Sequence, residues 1–348
     1  MFLKDNWQVA AFAKEVGRHL LARTLANENV VLYRLASGEP VALHDTCPHR
    51  SVPLSLGKLV DDIVQCGYHG LCFDKLGQCV KVPGQDRIPA AAKVQAYPVV
   101  ERYDFIWIWL GDPALADERT VPDFHWMTDP DWTICTGYHH FQAHYQLLND
   151  NLLDLTHETF VHSHTIGNAA VADSPLSVEL KDGHIVRAHR DMRNCEPPPF
   201  YVKATGFSTR IDRWHTTIFT PPAFLVIENG AMPAGSDKEK ARAAGVAKER
   251  RVLNLITPET ESSSHYFWAI ARSYDLNDAE LTEYIRKEVS KTFDEDKLLL
   301  EAQQLRLSGK PLGAFPVSLR ADVGAIQGRR VINSLLRGDP ASSPSGEH

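Results

Sequence analysis

No apolar run in the chain is longer than Phe105–Leu110, so nothing approaches the ~20 residues that cross a bilayer as a helix. The opening Met1-Phe2-Leu3-Lys4-Asp5-Asn6-Trp7 has no basic segment followed by a long apolar core, and no secretory leader is expected. An excess of basic residues is also missing. With 37 Lys and Arg against 44 Asp and Glu, the net charge is −7, and the basic stripe of a nucleic-acid binder is absent. Six cysteines in 348 residues are too few for a disulfide scaffold, and a cytoplasmic chain keeps them as thiols. What is present argues for folded domains. The 14 Phe, 10 Tyr and 7 Trp are too many for a solvated chain, and the length suits two domains. The chain reads as cytoplasmic, with neither membrane nor nucleic acid among its partners.

From Asn29 to Leu110 the pattern is short strands and turns: Val30–Leu35, the Ser37-Gly38-Glu39-Pro40 turn, Val41–His44, and Asp104–Leu110. That spacing predicts a small antiparallel β domain over residues 1–113, with its boundary in the proline-punctuated Gly111–Pro122 segment. Beyond it, Leu147–Val161 and Asp278–Gln304 read as helices, and Trp214–Glu228 and Arg251–Ala271 as strands. The mixture predicts an α+β domain over 114–336. Pro233–Arg250 is expected to be an exposed loop, or a mobile lid without apolar anchors near a pocket. Arg337–His348, rich in Ser, Pro and Gly, is expected to be a disordered tail.

Sixteen histidines, and four of the six cysteines between positions 47 and 79, point to metal chemistry. Cys47-Pro48-His49 and Cys66-Gly67-Tyr68-His69 form C-x-H and C-x-x-H. Two thiolates and two imidazoles suit either a structural zinc or a [2Fe–2S] cluster with histidine on one iron. Zinc sites usually pair cysteine with cysteine and histidine with histidine. Here each loop carries one of each, the pattern of a Rieske centre, with Cys47 and Cys66 on one iron and His49 and His69 on the other. Cys72 and Cys79 read as ordinary buried thiols.

A second constellation lies in Asn149–His164. On a continuous helix Asp154 and His157 would share a face, about 60° apart. His157 and His162 would lie about 140° apart and can meet at one metal only if the helix ends or bulges. His164 reads as solvated. A two-histidine iron site needs a carboxylate. The apolar stripe Leu281, Ile285, Val289, Phe293, Leu299-Leu300 includes Asp296, while Asp294 and Glu295 fall beside it. A buried carboxylate is costly unless compensated, so Asp296 is the expected third ligand with His157 and His162. Asp294 and Glu295 are expected to matter much less.

On these motifs, with Asn6-Trp7-Gln8-Val9-Ala10, Thr257-Pro258-Glu259-Thr260 and Glu295-Asp296-Lys297, the sequence resembles a Rieske non-haem iron oxygenase α subunit over nearly its whole length. It is most similar to vanillate O-demethylase oxygenase components, with dicamba O-demethylase and toluenesulfonate methyl-monooxygenase as relatives. The resemblance implies a Rieske domain followed by a helix-grip (START/Bet v1-like) catalytic domain. It implies a [2Fe–2S] cluster, a mononuclear Fe(II), O₂ as co-substrate, and a head-to-tail homotrimer. Electrons would come from NADH through a separate flavin/[2Fe–2S] reductase. Asp154 would bridge the cluster of one subunit to the iron of its neighbour, Asn151 would lie near the iron, and Asn254 would contact substrate. Among Arg210, Arg213, His215 and Asn254, none is singled out for an aromatic acid's carboxylate. The implied reaction is oxidative O-demethylation of a methoxylated aromatic acid to a phenol and formaldehyde. The alternative is methyl or ring hydroxylation of another aromatic acid, by a toluenesulfonate-like monooxygenase or a ring-hydroxylating dioxygenase.

Overall fold

β-Branched and aromatic runs broken by Gly, Asp and Pro fold into strands from the seventh residue onward. The computed structural model describes residues 1–307, 310, 312–313 and 315–338. They fall into two units: Phe2–Phe124 with Thr257–Thr260, and His125–Ile256 with Met1 and the chain from Glu261 onward.

The first unit carries β1 (Trp7–Phe12), β2 (Leu21–Leu25), β3 (Glu28–Arg34), β4 (Pro40–His44), β5 (Lys58–Val60) and β6 (Ile63–Gln65). After them come β7 (Cys72–Phe73), β8 (Cys79–Lys81), β9 (Ala96–Tyr97), β10 (Val99–Arg102) and β11 (Phe105–Trp109). They pair antiparallel in three small sheets, ordered β1-β11-β10, β2-β3-β4-β9 and β5-β6-β7-β8. One apolar cluster, including Val31, Tyr33, Leu54 and Phe73, also contains the thiols of Cys47 and Cys66. The metal-binding motif is thus rooted in a core, which fixes its two loops.

In the second unit β12 (Thr133–Phe141), β13 (Ser177–Lys181), β14 (Ile185–Cys195), β15 (Ile211–Thr220), β16 (Phe224–Pro233), β17 (Lys248–Thr260) and β18 (Ser263–Arg272) make one sheet, ordered β12-β18-β17-β16-β15-β14-β13. The last four residues of β17 group with the first unit. The two runs expected as strands, Trp214–Glu228 and Arg251–Ala271, each span a hairpin. Pro221-Pro222, lacking amide donors, ends the first strand at Thr220, and the second run turns between Thr260 and Ser263.

Helices α1 (Tyr145–Leu153), α2 (Glu158–Val161), α3 (Ala169–Asp173), α4 (Pro199–Thr205), α5 (Lys238–Ala243), α6 (Ala279–Leu307) and α7 (Val323–Arg337) accompany the sheet. The mixed α+β class and the large antiparallel sheet agree with the fold expected from the sequence. α6 lies on the sheet through Phe293, whose ring meets His139, Tyr266 and Trp268 edge-on. Ile285, Phe293, Asp296 and Leu300 form its buried stripe, while Leu299 faces solvent.

Three expectations are corrected. The helix expected over Leu147–Val161 is broken: Asp154 has extended backbone (φ −122°, ψ 97°), and its carboxylate accepts the Thr156 amide at 2.9 Å to cap the next turn, as aspartate favours. The expected loop or lid over Pro233–Arg250 is β16's end, helix α5 and β17's start. It has an apolar anchor, since Ala241 is buried against Trp214 and Met232 and Lys238 sits 3.7 Å above the Trp214 ring. Arg337 closes α7, with Gly338 left-handed at φ 72°. The remainder of the expected disordered tail, 339–348, lies outside the described residues. Among those residues no helix is long and apolar enough to cross a membrane.

Candidate iron centres

The two Cys/His loops share one backbone design. The Cys47 amide donates to the Val52 carbonyl and the Ser51 amide to the Cys47 carbonyl; Cys66 with Leu71, and Gly70 with Cys66, repeat the pattern. Residues four beyond each cysteine, Ser51 and Gly70, both take positive φ, 55° and 74°, which turns the chain back sharply. The repeat was hidden in sequence because a serine fills the glycine's role. Both thiols are buried, and burial above all, with Cys66 beside it, pushes the Cys47 thiol up. His49 and His69 are exposed, their ring centroids 4.4 Å apart. Two sulfurs inside and two imidazoles outside are the donor set of a [2Fe–2S] cluster with histidine on its outer iron. Cys72 and Cys79 are buried free thiols.

The second centre forms where α1 stops. After the break at Asp154, a single turn carries His157, and α2 ends at His162. The chain interruption therefore precedes His157, and the short helix ends at His162, so the rings converge at 5.2 Å between centroids. Nε2 of His157 lies 3.4 Å, and Nε2 of His162 3.2 Å, from Oδ1 of Asp296. One donor atom from each of the three residues lies within 4.8 Å of the others. The opposite ring nitrogens face acceptors. His157 Nδ1 donates to the Asp154 carbonyl at 2.7 Å, and His162 Nδ1 donates to Glu295 Oε2 at 2.7 Å. Protons on both Nδ1 atoms leave both Nε2 atoms free to bind a metal. Asn151 donates its amide to Asp296 Oδ1 at 3.1 Å and lies 3.4 Å from His157 Nε2, so it joins the group.

Burial alone would raise the Asp296 carboxyl, but the hydrogen bonds from His157 and His162 outweigh it and hold it well below the usual carboxylate range. Burial alone would lower His157, but Asp296 raises it to about 9. The three groups are built to hold positive charge between them, which a divalent cation supplies.

Comparison with known proteins follows the same division. Residues 6–98 match the Rieske [2Fe-2S] domain, and residues 141–338 match the vanillate O-demethylase oxygenase C-terminal domain. The chain belongs to the Rieske oxygenases of this vanillate O-demethylase type. It is 40% identical to a putative toluene-4-sulfonate monooxygenase system iron-sulfur subunit of Comamonas testosteroni, over 97% of this chain and 98% of that one. It is 39% identical to a vanillate O-demethylase oxygenase subunit of Pseudomonas sp. (strain HR199 / DSM 7063), over 97% and 95%. The crystal structure of dicamba monooxygenase bound to 3,6-dichlorosalicylic acid superposes with a TM-score of 0.89 at 35% identity, covering 98% of this chain and 99% of that one.

In the oxygenase domain a cavity opens beside His157, His162 and Asp296, walled by Leu155, Ile227, Val252 and Phe293. Its polar wall is Glu158, Tyr201, Arg213, His215, Asn229 and Arg250. Asn254 is not on that wall. Its amide donates to the Leu225 and Val252 carbonyls, its Oδ1 accepts the Tyr266 hydroxyl at 2.6 Å, and it is fully buried. Arg210 is likewise elsewhere, exposed and bonded to Asn194 and Glu196.

Other expectations are revised by the geometry. Asp154 shares no helix face with His157; it reaches that ring through its carbonyl, while its carboxylate lies 3.4 Å from Arg190. Glu295, though it stands beside the buried stripe, accepts from His162 Nδ1 at 2.7 Å. Arg190 was missed altogether. It is buried, bonds the Thr156 hydroxyl and the Val171 carbonyl, and in sequence is one of three arginines, with Arg187 and Arg193, in the same strand.

Proposed function

We propose that this chain is the terminal oxygenase of a multicomponent system that removes the methyl group of a methoxylated aromatic acid, giving the phenol and formaldehyde. The observation that carries the reading is the His157/His162/Asp296 group opening on a cavity with both apolar and cationic walls. Cys47 and Cys66 would hold the inner iron of the cluster, His49 and His69 the outer, and His157, His162 and Asp296 the mononuclear Fe(II). When bound, the cluster supplies electrons singly and the mononuclear iron supplies activation of O₂. Overall, ArOCH₃ + O₂ + 2e⁻ + 2H⁺ yields ArOH + CH₂O + H₂O.

The chain's own residues orient and enclose. Glu295 and the Asp154 carbonyl fix the two imidazoles. Asn151 donates to Asp296 Oδ1, the oxygen that also faces both imidazoles. Leu155, Ile227, Val252 and Phe293 keep water from the reacting methyl group. Electrons arrive from NADH through a separate flavin/[2Fe–2S] reductase. In a head-to-tail homotrimer Asp154, with its side chain 23% exposed, is suited to the route between one subunit's cluster and its neighbour's iron.

A second reading, hydroxylation of an aryl methyl group, is favoured by the toluene-4-sulfonate relative. The test is turnover of methoxybenzoates and methylarenes with a matched reductase under ¹⁸O₂. Formaldehyde with an unlabelled phenol supports demethylation, a labelled benzylic alcohol supports the second reading, and a cis-diol overturns both.

A further inference from the structure

Three residues of the cavity's polar wall form one row across the sheet. His215 on β15 lies opposite Asn229 on β16, and Asn229 lies opposite Arg250 on β17. Residues paired directly across strands project from the same face, so the three side chains stand in line toward α6.

The charges in this row do not balance. Arg213, two residues before His215 on the same strand, is committed: it donates to the Ile166 carbonyl, to the Tyr201 hydroxyl and to His215 Nε2, and stands 3.6 Å from Glu158. His215 accepts from Arg213, and its other nitrogen faces Glu158 at 3.5 Å; burial and the neighbouring cations keep it neutral. Glu158 thus faces Arg213 and His215, and Asp296 faces His157 and His162. Arg250 is left over. It is 95% buried, being 5% exposed. Its guanidinium lies over the Phe200 and Tyr201 rings at 4.5 and 4.6 Å, and its Nε has no partner. Among the described residues no carboxylate pairs with it. Beside it stands Asn229, 8% exposed, whose Nδ2 can donate to an anion.

A buried cation without a counter-ion is costly, and a protein keeps one where a ligand supplies the missing charge. We propose that Arg250, with Asn229 beside it, is the anion subsite of the cavity, and that it takes one carboxylate or sulfonate of a monoanionic aromatic substrate. The planar guanidinium fork matches two oxygens of either group. Stacking on Phe200 and Tyr201 fixes that fork, and a single uncompensated charge selects monoanions over dianions. Arg213, one of the four candidates from sequence, is the buttress behind the row; Arg250 was not among those four.

This inference rests on the oxygenase reading, and the experiment separates the two. Calorimetric binding to the metal-loaded holoprotein would use 4-methylbenzoate, toluene-4-sulfonate and the neutral 4-methylbenzamide, with wild type, Arg250→Gln and Arg250→Lys. Wild type should prefer the anions over the amide by about 100-fold, the loss expected for one charge-assisted pair. Arg250→Gln should abolish that preference while amide affinity and cluster absorbance stay unchanged; Arg250→Lys should keep part of it. The tighter of the two anions identifies the headgroup. An undiminished preference in Arg250→Gln, equal binding of amide and anions by wild type, or no anion binding at millimolar concentration overturns the subsite. Failure of the demethylation reading would look different, as anion preference intact but no formaldehyde from any methoxybenzoate.

Discussion

Replacing Glu295 by alanine should loosen the mononuclear iron without emptying the cluster. The two histidines are oriented by different means. His157 Nδ1 is held by the main-chain carbonyl of Asp154, which no substitution removes, whereas His162 Nδ1 is held at 2.7 Å by the Glu295 carboxylate alone. Loss of such an outer partner typically costs 10–100-fold in metal affinity, and about 30-fold is expected, because the 27% exposed Glu295 side chain is partly replaced by water. Asp294 is the control. It is one residue away, 66% exposed, and only 3.4 Å from His139, so Asp294→Ala should change iron affinity less than about 3-fold, within the usual range for surface substitutions. The assay is Fe(II) titration of metal-stripped protein against a competing chelator, with cluster absorbance monitored in the same sample. Wild-type affinity in Glu295→Ala, or equal weakening in Asp294→Ala, would refute the reasoning.

Three further outcomes are expected. Cys66→Ser should abolish the visible absorbance of the cluster and destabilise the N-terminal unit, whose core contains that thiol, because cluster binding is folding energy; retention of two irons there would contradict the cluster assignment. Asp154→Asn preserves the capping acceptor and the carbonyl on His157, so both metal centres should fill while cluster reoxidation by O₂ and substrate slows by orders of magnitude in stopped flow; an unchanged rate removes Asp154 from the electron route. Gly137→Ala would place a methyl group 2.0 Å from the Trp268 ring, and should lower stability by about 1–3 kcal/mol, read as a reduced thermal midpoint with iron content intact.

Much of the site was legible because metal chemistry constrains residue type and spacing together. The C-x-H and C-x-x-H loops, and a carboxylate interrupting the apolar stripe of α6, were visible as patterns. Helical phase was less faithful. A uniform 100° per residue joined Asp154 to His157 on one face, but aspartate's tendency to cap rather than continue a helix broke the chain there, and the contact runs through a carbonyl instead. The same stripe logic underrated Glu295, since lying beside a buried face is the place from which a carboxylate reaches a ligand's far nitrogen. The cavity wall was the least legible part. Of the adjacent Arg250 and Arg251, strand alternation requires one to face inward, but which one depends on the register of β17 against β16. Asn254 misled because a buried polar residue in a strand can be satisfied entirely by its own sheet.

The central claim is two iron centres of different kinds on one chain, and metal and sulfide analysis tests it most directly. The purified protein should contain about three irons and two acid-labile sulfides per chain, the sum of one [2Fe–2S] cluster and one mononuclear site. Asp296→Ala should contain about two irons, with both sulfides and the cluster absorbance unchanged. Zinc without sulfide in the N-terminal unit, or a full complement of iron in Asp296→Ala, would contradict the account.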